Sequence, residues 1–342
     1  MSGIRLFAGA NTAQGFYSFF EYLAQDDLQR VVIIKGAPGT GKSTLMRKII
    51  EAFPGKKIDQ FYCSSDASSL DGIYIREYAM TLMDGTAPHT TDPRLPGAVQ
   101  EIVDLGRCWS NKELVRRREE IRRWADSKSD QYTLAYKWLA LASQQADIIQ
   151  SLRKPVPPEQ VETDVQCIAQ LLPTAAGGRN IHAFATAITG NGYASFLPEL
   201  ARDAPVSILL GGGNRDYNNI LLQAIITMLQ ARKVPAIFLH CSLQPQYVEH
   251  IYIPGVLGIF SHRRPHDQLS FGLRFGPPEL PESELEKELA ISIQRATEAL
   301  CQAQQSHSQL EKIYIPQVDF ACVEEKRQRI LATIAQLKSR SE

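Results

Sequence analysis

The eight residues GAPGTGKS, Gly36 to Ser43, combine three glycines with a lysine and a hydroxyl in the spacing G-x-x-x-x-G-K-[ST]. A triphosphate is a dense anion that the backbone must approach closely. Gly36, Gly39 and Gly41 allow turns and positive φ values that a side chain would obstruct. Ala37, Pro38 and Thr40 complete a loop whose N–H groups point inwards, and a helix starting behind it adds partial positive charge. In such a loop Lys42 reaches the terminal phosphates, the Ser43 hydroxyl ligates Mg²⁺, and Thr44 lies towards the base or the α-phosphate. The expected ligand is Mg²⁺-ATP, with Lys42 also acting in catalysis.

Carboxylates follow at useful distances. In YAMTLMDG an apolar run ends at Asp84, where a Walker B aspartate would hold Mg²⁺ through water. Gly85 comes next, so the glutamate that many hydrolysing ATPases place directly after this aspartate is missing. CSSDASSLDG carries Asp66 and Asp71 beyond a strand, on the side where open α/β sheets bind ligands. One of them orients water or takes a proton from a hydroxyl acceptor. The competing reading is that both cap turns and helix starts.

These groups need elements to position them. RVVIIK before the loop reads as a buried strand, and STLMRKIIEAF after it places Leu45, Ile49 and Phe53 at helical spacing. The same order occurs twice. RLFAGANTAQGFYSFF from Arg5 matches HAFATAITGNGYASFL from His182 at Phe7/Phe184, Thr12/Thr189, Gly15/Gly192 and Phe19/Phe196. Cys63/Cys241, a shared IYI, and Pro88/Pro265 with His89/His266 continue the match in register. The chain is therefore two copies of one α/β unit. The expected architecture is α/β, with two tandem P-loop NTPase-like units, mostly parallel sheets, and a helical appendage on each. The first unit spans 1–176 with helices over 111–173. The second spans 179–342 with helices over 282–340. Proline breaks fall at KPVPP, 154–158, and IPQV, 315–318.

Aligned without gaps, GGGNRDYNN (211–219) takes the place of GAPGTGKST. Tyr217, Asn218 and Asn219 then replace Lys42, Ser43 and Thr44, Ser261 replaces Asp84, and Gln244 replaces Asp66. Asp71 keeps its acidity as Glu249. Asp216 would face phosphate, at a cost of about 4 kcal/mol for charges some 4 Å apart at an effective dielectric near 20. The second copy is expected to be degenerate. Arg215, Arg263 or Arg264 could serve the first site as a finger in cis; surface charge is the plainer reading. His89 persists as His266 where the lysine is lost, which points to a structural role.

Bulk properties narrow the rest. Lys+Arg and Asp+Glu both number 37, so nothing in the net charge favours a nucleic-acid or membrane partner. The arginines of LVRRREEIRRW alternate with glutamates, as on a solvated helix. Trp124, Tyr132, Tyr136, Trp138 and Leu139 read as helix–helix packing. Six scattered cysteines without a CxxC pair fit reduced thiols better than a disulfide framework. Without a signal-like start or a membrane-length apolar run, the expected location is the cytoplasm.

The motifs FAGANTAQGFYS, KGAPGTGKSTLM, CSSDASSLDG, DGTAPH and EKIYIPQVDF together resemble a family of functionally uncharacterised bacterial tandem P-loop ATPases, sometimes labelled nucleotide kinases. The resemblance covers most of the chain. It implies a P-loop NTPase fold and ATP binding at Gly36 to Thr44, and leaves the substrate open. Members with a recognisable phosphate loop in both units set a pattern from which this chain departs. Three activities stay in view: an ATPase working through the first site, a small-molecule or nucleotide kinase with an unidentified phosphoryl acceptor, and an ATP sensor with a protein partner and little hydrolysis. Oligomeric state is left open.

Overall fold

The computed structural model describes residues 3–261, 272–278 and 283–341, with side chains of the last helix to Leu337. The first unit runs β1 (Arg5–Phe7), β2 (Gly9–Thr12), β3 (Gly15–Ser18), β4 (Arg30–Lys35), α1 (Lys42–Ala52), β5 (Ile58–Tyr62), β6 (Leu70–Ile75), β7 (Met80–Asp84) and β8 (Gln100–Asp104). Helices α2 (Asn111–Arg116), α3 (Arg118–Ser151) and α4 (Pro158–Ala169) follow. The second unit runs β9 (Ile181–Ala183), β10 (Thr186–Thr189), β11 (Gly192–Ser195), α5 (Leu197–Asp203), β12 (Val206–Leu210), α6 (Arg215–Ala231), β13 (Ile237–His240), β14 (Val248–Ile253), β15 (Leu257–Ser261) and β16 (Leu273–Phe275). Helices α7 (Glu284–Tyr314) and α8 (Phe320–Ser341) close the chain. The proline breaks lie between α3 and α4 and between α7 and α8, because proline has no N–H for the helical ladder.

The duplication holds strand by strand. One six-stranded sheet has the order β1-β5-β6-β7-β4-β8, and the other β9-β13-β14-β15-β12-β16. Both are mixed. In each, three pairings are parallel and the two within the β5-β6-β7 or β13-β14-β15 meander are antiparallel. This qualifies the expected mostly parallel sheet: the connections at 63–69 and 76–79 are too short for the crossover a parallel pair requires. Even the register irregularity recurs, at Phe61/Tyr62 and Leu239/His240. The matched Thr12-Gly15 and Thr189-Gly192 are hairpin turns. Each threonine hydroxyl donates to the glycine carbonyl, at 2.9 and 2.8 Å, and each glycine has a positive φ.

A local two-fold relation joins the copies. Phe7 and Phe184 exchange backbone hydrogen bonds of 2.8 and 2.9 Å. The Phe7–Phe196 ring stack is mirrored by Phe19 against Phe184. Strand alternation separates the cores. Val31 and Ile33 face a central core shared with Ile237, Leu239 and Phe260 of the second sheet. Val32 and Ile34 face α1 and α8.

The appendages are exchanged. Helix α4 follows the first unit but packs on α6, with Val161 and Ile168 buried against Tyr217 and Leu221. Helix α8 follows the second unit but buries Val323, Ile330 and Ile334 against Leu45, Met46 and Ile49 of α1. Between them α3 and α7 run antiparallel. Their seam of Ala135, Leu139, Ala142, Ala296, Ala299 and Leu300 is small enough for close approach. Ser127 meets Ser306 near one end and Arg153 meets Glu286 at the other. Tyr132, Tyr136 and Trp138 pack against this core, as expected of them. The α3 arginines pair locally, Arg117 with Glu120 and Arg122 with Glu119.

One expectation fails. Cys108 and Cys322 form a disulfide across 214 residues. Sequence spacing hid it because α8 returns to the first unit. Cys63, Cys167, Cys241 and Cys301 take no part in this bond. Among the described residues, no helix is long and apolar enough to cross a membrane.

Candidate functional site

Six residues, 36–41, connect β4 to α1. Gly39 and Gly41 have φ values of 74° and 87°, which an L side chain rarely adopts. Gly41 takes the N-cap position and supplies no side-chain cap, and no acidic residue lies in the first turn. The first N–H groups of α1 thus meet no capping side chain. Lys42 Nζ donates to Gly36 O at 2.6 Å and Ala37 O at 3.2 Å, and lies 3.5 Å from an Asp84 carboxylate oxygen. The Leu70 N–H donates to Ser43 Oγ at 3.0 Å, tying the loop to β6. Thr44 at the start of α1 is exposed.

Strands β6 and β7 bring Asp71 and Asp84 together, and the segment after β7 returns His89 to them. Single ligand atoms from the three lie within 4.8 Å of one another. Asp84 Oδ1 accepts the Thr86 N–H at 2.7 Å, and the Thr86 hydroxyl donates to Gly36 O at 3.1 Å, coupling this segment to the glycine loop. Burial, reinforced by the charge of Asp84, pushes the Asp71 carboxyl up to about 8. Burial draws the His89 imidazole down to about 4. Asp66, expected alongside Asp71 in catalysis, accepts from Ser68 N–H and Ser68 Oγ at 3.0 and 2.7 Å. It caps its turn, whereas Asp71 faces Asp84.

A roof arrives from far along the chain. A Cβ at Gly39 would fall 2.6 Å from the Ile315 side chain and 3.5 Å from Glu311 Cα. At Gly41 it would meet Phe320 at 3.7 Å. The ends of α7 and α8 therefore lie over the loop. Lys128 of α3 is lowered by burial and by Lys42. His307 of α7 is lowered to about 4 by burial, then by Lys128 and Lys42. Glu311 is raised by burial, then by Asp66. No motif marks Lys128 or His307, and Glu311 opens the EKIYIPQVDF motif; only the exchange of appendages places the three here.

The second copy is built differently. Strand register pairs Ile34 with Asp84 and Leu210 with Ser261, so Leu210, not Leu209, takes the place of Ile34. Only four residues, 211–214, then lead to α6. The ungapped alignment with the first loop is therefore corrected. Tyr217 does not stand where Lys42 does. Its ring is in the core and its hydroxyl donates to Asp164 of α4 at 2.6 Å. Asp216 lies in the first helical turn with its side chain 69% exposed, so it does not fill the loop.

Helix α3 plugs this shortened loop. Gln150 Oε1 accepts the Arg215 N–H at 2.9 Å, and Arg153 Nη1 donates to Gly212 O at 2.9 Å. Asn214 caps α6 by accepting the Tyr217 N–H at 3.1 Å. Arg215 pairs with Asp147, donates to Gln244 and lies over the Tyr247 ring. It is committed to α3 and to the loop after β13, and is no finger for the first site. Arg263, Arg264, Pro265 and His266 lie outside the described residues.

A cavity of ≈ 670 Å³ lies elsewhere, between α3 and α7, and is lined by residues such as Trp124, Gln131, Gln302 and Gln305. Its walls carry one carboxylate, Glu298, while the ionisable cluster sits under the glycine loop. No family model, curated protein or solved structure matches the chain.

Proposed function

We propose that the protein binds Mg²⁺-ATP at Gly36–Thr44 and hydrolyses it there, with the second unit serving as scaffold. The observation that carries this reading is Lys42, held at the start of an uncapped helix beside Asp84 and donating to its own loop carbonyls. Those weak carbonyl partners are readily exchanged for phosphate oxygens, to which a lysine binds as a point charge. The N–H groups of the loop and of the first turn of α1 add donors for the same anion.

Ser43 and Asp84 offer the hard oxygen donors that suit Mg²⁺, and when bound the ion would neutralise phosphate charge. Asp71 is the proton acceptor in this reading, with the charge of Lys42 and of a bound Mg²⁺ favouring its ionised form; it clusters with Asp84, while Asp66 is spent on its turn. The roof of α7 and α8 shields the reacting phosphate from bulk water. Gly85 after Asp84 supports a second reading, phosphoryl transfer to a hydroxyl acceptor, in which Asp71 takes the acceptor's proton.

At a hundred times Kd, Mg²⁺-ATP should stabilise the protein by about 2.7 kcal/mol. Lys42→Ala should abolish the resulting rise in melting temperature. An equal rise in the variant would refute the site. Single-turnover assays then separate the readings: free phosphate marks hydrolysis, and ATP loss only with an added acceptor marks a kinase.

A further inference from the structure

The glycine loop does not account for His89. The residue is 8% exposed, stacks on Phe20 with centroids 4.6 Å apart and meets the edge of Phe16. Its Nδ1 has no hydrogen-bond partner. Its Nε2 points at Asp71, but at 3.7 Å, beyond hydrogen-bond length. A buried imidazole without a hydrogen bond is costly, and two buried carboxylates beside it add to the cost. Among the described residues the cation facing this cluster is Lys42, which contacts Asp84 alone.

We propose that Asp71, Asp84 and His89 form a binding site for a divalent first-row transition metal that fills without nucleotide. The donor set is two carboxylate oxygens and one imidazole nitrogen. Such a mixed set suits Mn²⁺, Co²⁺ or Zn²⁺, whereas Mg²⁺ prefers oxygen donors and retains water. Ligand bonds of about 2.0–2.2 Å in tetrahedral geometry place donors about 3.4 Å apart. The three donor atoms, all within 4.8 Å of one another, close on an ion by side-chain movements of up to about 1.4 Å. The ion relieves the carboxylate repulsion and gives the Nε2 lone pair a partner. The Phe16 and Phe20 rings hold the imidazole in place, and the Cys63 thiol lies beside Asp71.

The second unit lacks this set. Glu249 stands for Asp71, but Ser261 stands for Asp84. Lys42 competes for Asp84, so its removal should tighten metal binding. The site shares Asp71 and Asp84 with the proposed nucleotide site yet does not rest on that reading, because its test omits nucleotide.

Metal-free protein, stripped with a chelator, is titrated with Co²⁺ and followed by its visible absorption, then with Mn²⁺ by electron paramagnetic resonance. One ion per chain is expected, and millimolar Mg²⁺ should not displace it. His89→Phe keeps the ring stack but removes the nitrogens, and should weaken binding at least tenfold. Asp71→Asn should do likewise, and keeps the test decisive if His89→Phe does not fold. Lys42→Met should bind more tightly than the parent. The proposal is overturned if the parent takes up metal only with ATP present. It is also overturned if both folded variants bind as the parent does.

Discussion

The two strand–loop–helix corners occupy the same place in the same topology, yet their helix N-termini are satisfied in opposite ways. At α6, Gln150 and Asn214 accept the first N–H groups and Arg153 clasps a loop carbonyl. At α1, no side chain caps the helix, and Lys42 donates only to the loop's own carbonyls and faces Asp84. One corner is a joint. The other keeps its donors for something else. Both are reached by the end of a long helix from the opposite appendage, but α3 inserts a plug and α7 lays a roof. A repeated fold can therefore diverge in function by shortening one loop and letting the helix end above it fill the gap.

The largest expected effect comes from a histidine pair that the first unit does not repeat at the matching strand positions. His182 and His240 lie 2.7 Å apart in the second unit, ring nitrogen to ring nitrogen, while Arg5 and Tyr62 occupy the matching positions in the first. Burial lowers His240 to about 4 and also lowers His182. A depressed folded pKa gives stability that is present above the unfolded value near 6.5 and is lost as pH falls through 4. His240 should contribute a loss of about 3 kcal/mol over that window, on top of the same-sign losses from His89 and His307, read by denaturant unfolding at each pH. His240→Gln should flatten the slope. An unchanged slope would remove the second unit as its source.

The staple on the first unit comes next. Cys108→Ala with Cys322→Ala should cost about 2–4 kcal/mol, read by urea unfolding. Reductant should mimic the double substitution. The plug follows: Gln150→Ala leaves the Arg215 N–H without its acceptor, and should cost about 1–2 kcal/mol while leaving nucleotide affinity unchanged. A change in ATP affinity would show the two corners to be coupled rather than divided in role. The smallest effect is Tyr217→Phe, which loses one buried hydroxyl bond to Asp164 and about 1 kcal/mol. Were Tyr217 in the place of Lys42, this change would alter a ligand site instead of stability.

What could be read from the sequence was local. The glycine loop, its lysine, the carboxylates and the flanking strand and helix lie between Arg30 and Asp84, where spacing alone constrains geometry. The duplication was legible because Thr12, Gly15 and their counterparts make the same turn bonds. What stayed hidden depends on contacts across the chain. A run of three glycines, Gly211 to Gly213, let a shortened loop pass as a full-length one; only strand pairing fixes Leu210 opposite Ser261. The roof residues Lys128 and His307, the place of the Glu311 motif over the loop, and the partner of Cys108 follow from an exchange of appendages that no local pattern encodes. His89 read as structural because its copy His266 persists, while the carboxylates around it come from two strands.

The central claim is that one corner, and not its counterpart, holds nucleotide. Titration calorimetry with a slowly hydrolysed ATP analogue and Mg²⁺ tests it most directly through the stoichiometry. The account requires one nucleotide per chain, falling to none in Lys42→Ala and staying at one in Arg215→Ala. Two nucleotides per chain, or one that survives Lys42→Ala, would contradict it.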